Sequence, residues 1–299
     1  MKKIYIAGCG GMLGEALFKR FNVDYELRCT DIDLNEKWLS YLDFRSFNDY
    51  RDDVQKFKPD YLFHIGAYTD LEYCELNPKE TYETNTRSVE HGVKIANELN
   101  IPILFISTAG IFDGKKDIYD ENDIPDPIGI YAKSKYLGEK YVQNNSSKYL
   151  ICRAGWMMGG GPKKDKKFIN KLMVQIGKGN NELFIVHDKL GTPTYTHDFS
   201  SNVKYLIEKE KFGLYNMVCQ GLTSRFDIAY ELIDHLGLKD AIKINKVGSD
   251  YFKREYFAPR PASERLINKR LNNEGLDVMQ DWKTSLYHYL KSAYSGYIK

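Results

Sequence analysis

The stretch KIYIAGCGGMLGEALFKRF, residues 3–21, decides the fold of this chain. An apolar, β-branched run leads into Gly8, Gly11 and Gly14, and apolar residues at helical spacing follow them. Glycines between a strand and a helix permit a tight turn, and the free N–H groups at the start of the helix can bind a pyrophosphate. The spacing GxxGxxG is weak support by itself. Its place between a first strand and a first helix favours a dinucleotide site over a bare structural turn.

The same alternation of strands and helices continues through the first half of the chain. Apolar runs predict strands at 25–31, 60–67, 101–107 and 148–154, and periodic segments predict helices at 44–57, 78–100 and 131–145. Alternation of this kind is typical of an α/β fold, in which a parallel, doubly wound sheet of Rossmann type carries helices on both faces.

The pattern becomes looser after residue 154. Residues 155–167 are rich in glycine and lysine and predict a mobile loop, and residues 183–210 predict a strand, a turn and a helix. Ser224 is the expected N-cap of a helix over 224–238. We therefore expect a dinucleotide-binding Rossmann domain at 1–155 together with about 188–220, and a smaller C-terminal substrate-binding lobe at 156–187 and 221–299.

The composition excludes several classes of partner. The net charge is +2 over 299 residues, with acids and bases interspersed, so we expect neither nucleic acid nor a membrane as the main partner. The five cysteines are odd in number and lack CxxC spacing, which indicates reduced thiols and a cytoplasmic protein. No apolar run approaches the ~18 residues of a membrane span. The N-terminal apolar run is too short for a signal peptide.

An acidic residue at the end of the second predicted strand bears on the choice of cofactor. Asp31 lies about twenty residues beyond the glycines, where a carboxylate can accept hydrogen bonds from both ribose hydroxyls of NAD and would repel the extra phosphate of NADP. Asp33 is a competing candidate for this role. The expected cofactor is NAD(H) or NADP(H), with NAD favoured.

A tyrosine and a lysine four residues apart form a candidate catalytic pair. Tyr131 and Lys135 share one face of a predicted helix, and a lysine ammonium lowers the pKa of a nearby phenol toward the range useful in acid–base catalysis. Tyr136 and Lys140 have the same spacing. The segment that ends in Ser107 and Thr108 selects the first pair, because hydroxyls at the carboxyl edge of a central strand can hold a substrate carbonyl beside Tyr131.

The chain resembles the extended short-chain dehydrogenase/reductases, and within them the dTDP-4-dehydrorhamnose reductase branch. The resemblance covers nearly the whole chain. It rests on seven motifs: GCGGMLG (8–14), PDYLFHIGAYTDLEYCELNP (59–78), ISTAGIFDG (106–114), YAKSKYLGEK (131–140), RAGWMMG (153–159), LGTPTYTHDFS (190–200) and RPASERLINKRL (260–271).

The resemblance implies a role for each matching residue. The cofactor-binding residues would be Gly8, Gly11, Met12 and Leu13 at the pyrophosphate, Asp43 and Phe44 at the adenine, Ala67 and Tyr68 beside the nicotinamide with Asn85 holding their loop, and Tyr131 and Lys135. Asp31 at the ribose and Ser107 are further cofactor-binding candidates from their positions at strand ends. The catalytic set would be Thr108, Tyr131 and Lys135, with Tyr131 as the proton donor. Substrate would contact Thr108, Trp156 and Arg260, with Trp156 by the sugar and the arginine at the diphosphate.

The sequence also departs from the family pattern. Ala109 and Gly110 stand where these reductases usually carry an acid and an aromatic residue, which removes a charge and a ring from the substrate wall. Ala16 stands where some members carry a metal-linked glutamate, so no metal is expected. We interpret His64 as a packed strand residue and the lysine-rich run 163–167 as a solvated loop.

The resemblance implies an enzyme that uses NAD(P)H to reduce a nucleotide-linked 4-keto-6-deoxy sugar for surface polysaccharide. Its partner would be that small-molecule sugar nucleotide, and a homodimer is an open alternative to a monomer. Two other functions remain open at this point. One is an epimerase or dehydratase of the same family, which would recycle the hydride. The other is a non-catalytic, dinucleotide-binding regulatory subunit.

Overall fold

A computed structural model of the protein describes residues 1–297. Its strands, in chain order, are β1 (Lys3–Ala7), β2 (Glu26–Asp31), β3 (Leu39–Tyr41), β4 (Tyr61–His64), β5 (Ile103–Thr108), β6 (Tyr149–Ala154), β7 (Trp156–Met158), β8 (Glu182–Val186), β9 (Leu190–Gly191), β10 (Pro193–Tyr195), β11 (Gly213–Asn216), β12 (Thr223–Ser224), β13 (Lys243–Val247) and β14 (Ser263–Glu264).

The helices in the same part of the chain are α1 (Met12–Phe21), α2 (Phe47–Phe57), α3 (Leu71–Leu76), α4 (Pro78–Tyr82), α5 (Ser88–Glu98), α6 (Ile130–Asn145), α7 (Gly161–Lys164), α8 (Phe168–Gly177), α9 (Thr196–Glu208), α10 (Arg225–His235), α11 (Lys269–Asn273) and α12 (Trp282–Ala293). None of the helices described is both long and apolar enough to cross a membrane.

A seven-stranded parallel sheet carries the fold. Its strand order is β11-β6-β5-β4-β1-β2-β3, and every neighbouring pair runs parallel. The order reverses between β1 and β4, and ligands of such sheets bind outside the carboxyl ends of the strands at this switch point. The Rossmann-type α/β fold predicted from the sequence is confirmed.

Strand β1 shows why the sheet is buried on both faces. Ile4 and Ile6 point into one hydrophobic core, which also holds Leu17 of α1 and Phe199 of α9. Tyr5 and Ala7 point into a second core, built with α2 and α5. Because successive side chains of a strand point to opposite faces, a strand covered on both sides reads as a continuous apolar run.

The predicted helix over 78–100 is interrupted. It consists of α4, a π-helical turn at Glu83–Arg87, and α5. Asn85 lies in this turn and is fully buried. Wide turns of this kind are frequent at functional sites, since they redirect a side chain without ending the helix.

The segment predicted as a mobile loop, 155–167, is instead ordered into β7 and α7. Strand β7 pairs in parallel with β10. The segment before α9, which was expected to be a turn, therefore contains the short strands β9 and β10. Ser224 caps α10 as expected, in a capping box with Asp227. The division into a Rossmann domain and a substrate-binding lobe stays a prediction.

Candidate active site

The glycine loop lies at the carboxyl end of β1, against Gly66, the second residue after β4. Gly8 has φ of +81°, and a Cβ built on it would lie 2.1 Å from the Cα of Gly66. A Cβ on Gly14 would lie 2.0 Å from the carbonyl oxygen of Cys9. Both positions therefore require glycine. Gly11 is the N-cap of α1 and offers no side-chain cap, which leaves the first N–H groups of the helix, including those of Met12 and Leu13, open toward a ligand.

The carboxylate of Asp31 is fixed beside this loop. Oδ2 accepts a hydrogen bond of 2.8 Å from the N–H of Gly10, and Oδ1 accepts one of 3.0 Å from the N–H of Asp33. The side chain of Asp33 is exposed and accepts a hydrogen bond from Asn35. The structure thus brings Asp31, and not Asp33, into contact with the glycine loop.

Asp43 and Phe44 follow β3 on the same edge. The Phe44 ring lies near Gly66, where a Cβ would come within 2.4 Å of it, and meets the His64 ring edge-on at 4.9 Å between centres. Asp43 pairs with Arg45 at 2.7 Å, and hydrogen bonds from this guanidinium lower the pKa of the carboxyl.

Asn85 fixes the loop that follows β4. Its Oδ1 accepts a 2.8 Å hydrogen bond from the N–H of Tyr68, and its Nδ2 donates to the Tyr68 carbonyl at 3.0 Å. Nδ2 also donates to Ser134 Oγ at 3.1 Å, and that hydroxyl donates to the Tyr131 carbonyl at 2.7 Å. One buried amide therefore ties the loop containing Ala67 and Tyr68 to the helix that carries the tyrosine.

Tyr131 and Lys135 lie on the inner face of α6, opposite the end of β5. Burial raises the pKa of Tyr131 to about 12, and a hydrogen bond with Thr108 opposes that shift. Burial lowers the pKa of Lys135 to about 7, in part offset by the charge of Glu139. The expected lowering of the phenol pKa by the lysine is therefore absent from the structure. Burial is the largest influence on both groups, and Lys135 is not among the groups that shift the Tyr131 pKa.

The ammonium of Lys135 is confined without a hydrogen bond. The residue is 3% exposed, and Nζ lies 4.2 Å from the centre of the Phe105 ring. Within residues 1–297 no acceptor or carboxylate pairs with it. By contrast Lys140, of the alternative pair, is exposed, and its Nζ lies 5.8 Å from the Tyr136 ring centre. The pair selected from the sequence is the one at the carboxyl edge of the sheet.

The site has the features that a nicotinamide dinucleotide requires. Ser107 Oγ is buried and has no hydrogen-bond partner in the part of the chain described. The unpaired Lys135 ammonium lies on the same side, and the Gly8–Gly66 contact leaves a side-chain-free surface at the loop. A buried donor without an acceptor costs free energy. The Ser107 hydroxyl and the Lys135 ammonium therefore fit the ribose and carboxamide oxygens of such a cofactor, which can accept their hydrogen bonds.

Trp156 forms one wall of the adjacent cleft. Its Nε1 donates a 2.7 Å hydrogen bond to Glu264 Oε2, and Gly191 leaves room for the ring. The other carboxylate oxygen, Oε1, would lie 3.3 Å from a Cβ at Gly110. Glu264, from a distant part of the sequence, therefore brings a negative charge to the wall formed by Ala109 and Gly110.

Arg260 is already paired within the structure. Its Nη1 donates to the Ala258 carbonyl at 2.9 Å, and its Nη2 donates to Glu72 Oε2 at 2.8 Å. Arg225, which sequence reasoning missed, stacks on the Trp156 ring with its Cζ 3.7 Å from the ring centre. No spacing or motif distinguished this arginine from the others.

The lysine-rich run 163–167 is not the solvated loop expected. Lys164 is buried, and its Nζ donates to the Gly10 carbonyl at 3.1 Å and pairs with Glu36 at 3.3 Å. Asp165 is fully buried and accepts a 2.8 Å hydrogen bond from Tyr289. The run packs against the glycine loop because these long-range partners satisfy its charges.

His64, singled out in the sequence, has a packing role. His64 is buried between Tyr50 and Ser88, which bond its two ring nitrogens at 3.2 and 3.0 Å, and burial lowers its pKa to about 3. No group of three or more His, Cys, Asp or Glu residues suited to a metal ion occurs within residues 1–297.

Comparison with known proteins places this geometry in a family. The sequence model of the family described as the RmlD substrate binding domain matches residues 1–295. The chain belongs to the RmlD substrate binding domain family. The resemblance inferred from the motifs is confirmed.

Individual known proteins match the chain over nearly its whole length. The dTDP-4-dehydrorhamnose reductase of Aggregatibacter actinomycetemcomitans is 29% identical over 297 residues, which cover 96% of this chain and 97% of that protein. The spore coat polysaccharide biosynthesis protein SpsK of Bacillus subtilis is 28% identical over 298 residues, 99% of each chain. The crystal structure of dTDP-4-dehydrorhamnose reductase from Bacillus anthracis in complex with NADP has a TM-score of 0.89 at 26% identity, covering 98% of this chain and 100% of that one.

Burial of Lys135 predicts a pH-dependent stability in the cofactor-free protein. Unfolded lysine keeps its proton to about pH 10, whereas folded Lys135 loses it near pH 7, so folding releases a proton between these values. The free energy of unfolding should therefore rise with pH across this window, by at most about 1.4 kcal/mol per pH unit from this group.

Replacement of Lys135 by methionine should remove this contribution. Denaturant unfolding of wild type and K135M from pH 6.5 to 9.5 measures it, and the stability advantage of K135M should shrink as the pH rises. K133M, which changes an exposed lysine of the same helix, is the control and should differ from wild type by a constant amount. If the free energies of unfolding of K135M and wild type changed with pH by the same amount, the lowered pKa assigned to Lys135 would be contradicted.

Proposed function

We propose that the protein is a nicotinamide-dependent reductase of a nucleotide-linked 4-keto-6-deoxy sugar. The observation that carries this proposal is the position of Tyr131, Thr108 and Lys135 at the carboxyl edge of the sheet, beside a glycine loop that admits a dinucleotide. The names of the two curated relatives, a dTDP-4-dehydrorhamnose reductase and a spore coat polysaccharide biosynthesis protein, support the substrate class and a role in surface polysaccharide synthesis.

The protein's own residues supply the proton and the orientation. The bound nicotinamide provides the hydride. A phenol pKa of about 12 keeps Tyr131 protonated at neutral pH, so it can donate to the carbonyl oxygen as negative charge develops there. Thr108 orients that oxygen through its hydroxyl. Lys135 would bind the ribose hydroxyls of the cofactor, whose oxygens would favour its charged form, and the ammonium would then stabilise the Tyr131 phenolate.

Each of the two units predicted from the sequence would bind one of the two ligands. Residues 1–155 with about 188–220 bind the dinucleotide, while 156–187 and 221–299 bind the sugar nucleotide, with Thr108, Trp156 and Arg260 along the cleft. The five cysteines are all buried and unpaired, which supports a reducing, cytoplasmic environment. A homodimer remains the open alternative to a monomer.

Charge near the adenosine ribose supports NAD over NADP. Asp31 faces the glycine loop. The nearby Lys163 and Lys164 are both paired with Glu36, at 2.8 and 3.3 Å, and are not free for a 2′-phosphate. The Bacillus anthracis relative, in complex with NADP, shows that a related site accommodates the phosphate.

Removing the charge of Asp31 should reduce the preference for NADH. In D31N the amide oxygen can still accept from Gly10, but the repulsion of a 2′-phosphate, about 1 kcal/mol or more, is lost. The ratio of Kd for NADPH to Kd for NADH, measured by fluorescence titration, should fall on the order of ten-fold. D33N is the matched control and should leave the ratio unchanged. A shift in D33N alone would assign the ribose to Asp33.

Loss of the Tyr131 hydroxyl should abolish turnover without loss of cofactor binding. Removal of a positioned proton donor costs about 10²–10⁴ in kcat, so Y131F should lie within that range below wild type in an assay with a nucleotide-linked 4-keto-6-deoxy sugar. NADH titration should give the wild-type Kd. Y136F, from the alternative pair, in which Lys140 is exposed, is the control and should turn over normally. Retained turnover in Y131F would refute the assignment.

A further inference from the structure

Arg225 presents a guanidinium that nothing in residues 1–297 satisfies. The ring centre of Trp156 lies 3.7 Å from its Cζ and that of Phe168 lies 4.9 Å away, so the planar group is held between two aromatic side chains. Neither a hydrogen bond nor an ion pair engages its side chain in this part of the chain. Its backbone is fixed, because Arg225 N donates to the Lys189 carbonyl at 3.2 Å and Ser224 caps the helix that follows.

Stacking leaves the edges of the guanidinium free. Aromatic contact satisfies the faces of the planar cation, while its five N–H donors point outward in the plane. Burial lowers the pKa of Arg225 to about 10, with the charge of Glu264 opposing that shift and Arg260 adding to it. A half-buried cation with unused donors is costly unless an anionic ligand completes it.

Arg260, the arginine expected from the sequence to meet the diphosphate, differs in this respect. Glu72 balances its charge, with an ion pair of 2.7 Å, and the Ala258 carbonyl takes another of its donors. This pair joins the segment after β4 to the segment before β14. We describe the Arg260–Glu72 ion pair as a clamp, because it links the two segments that border the cleft.

A second cation lies near Arg225. Lys167 reaches across the cleft, where its Nζ donates to the Thr69 carbonyl at 2.9 Å, next to the loop fixed by Asn85. Burial lowers the pKa of Lys167, and the charge of Arg225 contributes to the same shift. Two cations that repel each other at the cleft beside Trp156 fit a ligand with two adjacent negative groups.

We propose that Arg225 binds the diphosphate of the sugar nucleotide and that Arg260 clamps the cleft walls. This inference rests on the proposed function, since it presumes a nucleotide-linked substrate. Arg225 presents a free fork to phosphate oxygens, which guanidinium groups bind in pairs of parallel hydrogen bonds. The Trp156–Glu264 hydrogen bond fixes the ring on which that fork is stacked.

Calorimetric titration with thymidine, dTMP, dTDP and UDP, in the presence of saturating NADH, tests the proposal. R225Q should bind the preferred nucleoside diphosphate about 10–100-fold more weakly than wild type, as expected for loss of charge-assisted hydrogen bonds. Affinity for thymidine should not change. R225K, which keeps the charge without the fork or the stacking, should be intermediate. R260Q tests the competing assignment and should weaken diphosphate binding by less than about three-fold. R254Q, at an exposed arginine, is the control and should bind like wild type.

The Kd of R225Q for NADH reports whether the variant is folded and should equal that of wild type. A large loss of diphosphate affinity in R260Q with none in R225Q would overturn the proposal and return the diphosphate to Arg260. Equal losses for thymidine and dTDP in R225Q would overturn it as well, because they would make Arg225 a packing residue. If wild type bound neither dTDP nor UDP, the proposed function would fail together with this inference.

Discussion

The contact between Gly8 and Gly66 is the constraint on which the site depends. With a Cβ on Gly8 the two backbones could not approach, since the built atom would lie 2.1 Å from the Gly66 Cα, and a Cβ on Gly66 would lie 2.4 Å from the Phe44 ring. From this point the chain turns into α1 on one side and into the loop of Ala67 and Tyr68 on the other. The strand order reverses at this point, where ligands of such sheets bind, and the candidate cofactor groups lie around it.

The polar groups around the candidate site differ in whether they have hydrogen-bond partners within the protein. This difference indicates their roles. The Asn85 amide is satisfied within the protein, so it positions the loop and α6. Ser107 Oγ, the Lys135 ammonium and the Arg225 guanidinium have no such partners within residues 1–297. Because an unsatisfied buried group costs more than a hydrogen bond gains, such groups persist where a ligand completes them.

The fold and the cofactor-binding half of the site could be predicted from the sequence because they depend on local patterns. Continuous apolar runs indicate strands covered on both faces, and the glycine loop is set by residues adjacent in the chain. Glu264 and Arg225 could not be found this way. The Trp156–Glu264 hydrogen bond spans 108 residues, and the Tyr289–Asp165 bond that orders the lysine-rich run spans 124. Only folding brings these partners together, and no spacing in the sequence marks them.

The central claim is that the hydride of the nicotinamide ends on the sugar. The direct measurement supplies deuterated NADH or NADPH together with a nucleotide-linked 4-keto-6-deoxy sugar, and follows both cofactor oxidation and the label by mass spectrometry. A reductase consumes one cofactor per sugar and leaves one deuterium on the carbon that bore the ketone. Turnover of the sugar without net cofactor oxidation would indicate an epimerase or dehydratase and would contradict the account. Absence of any turnover across a panel of keto-sugar nucleotides would favour a non-catalytic subunit.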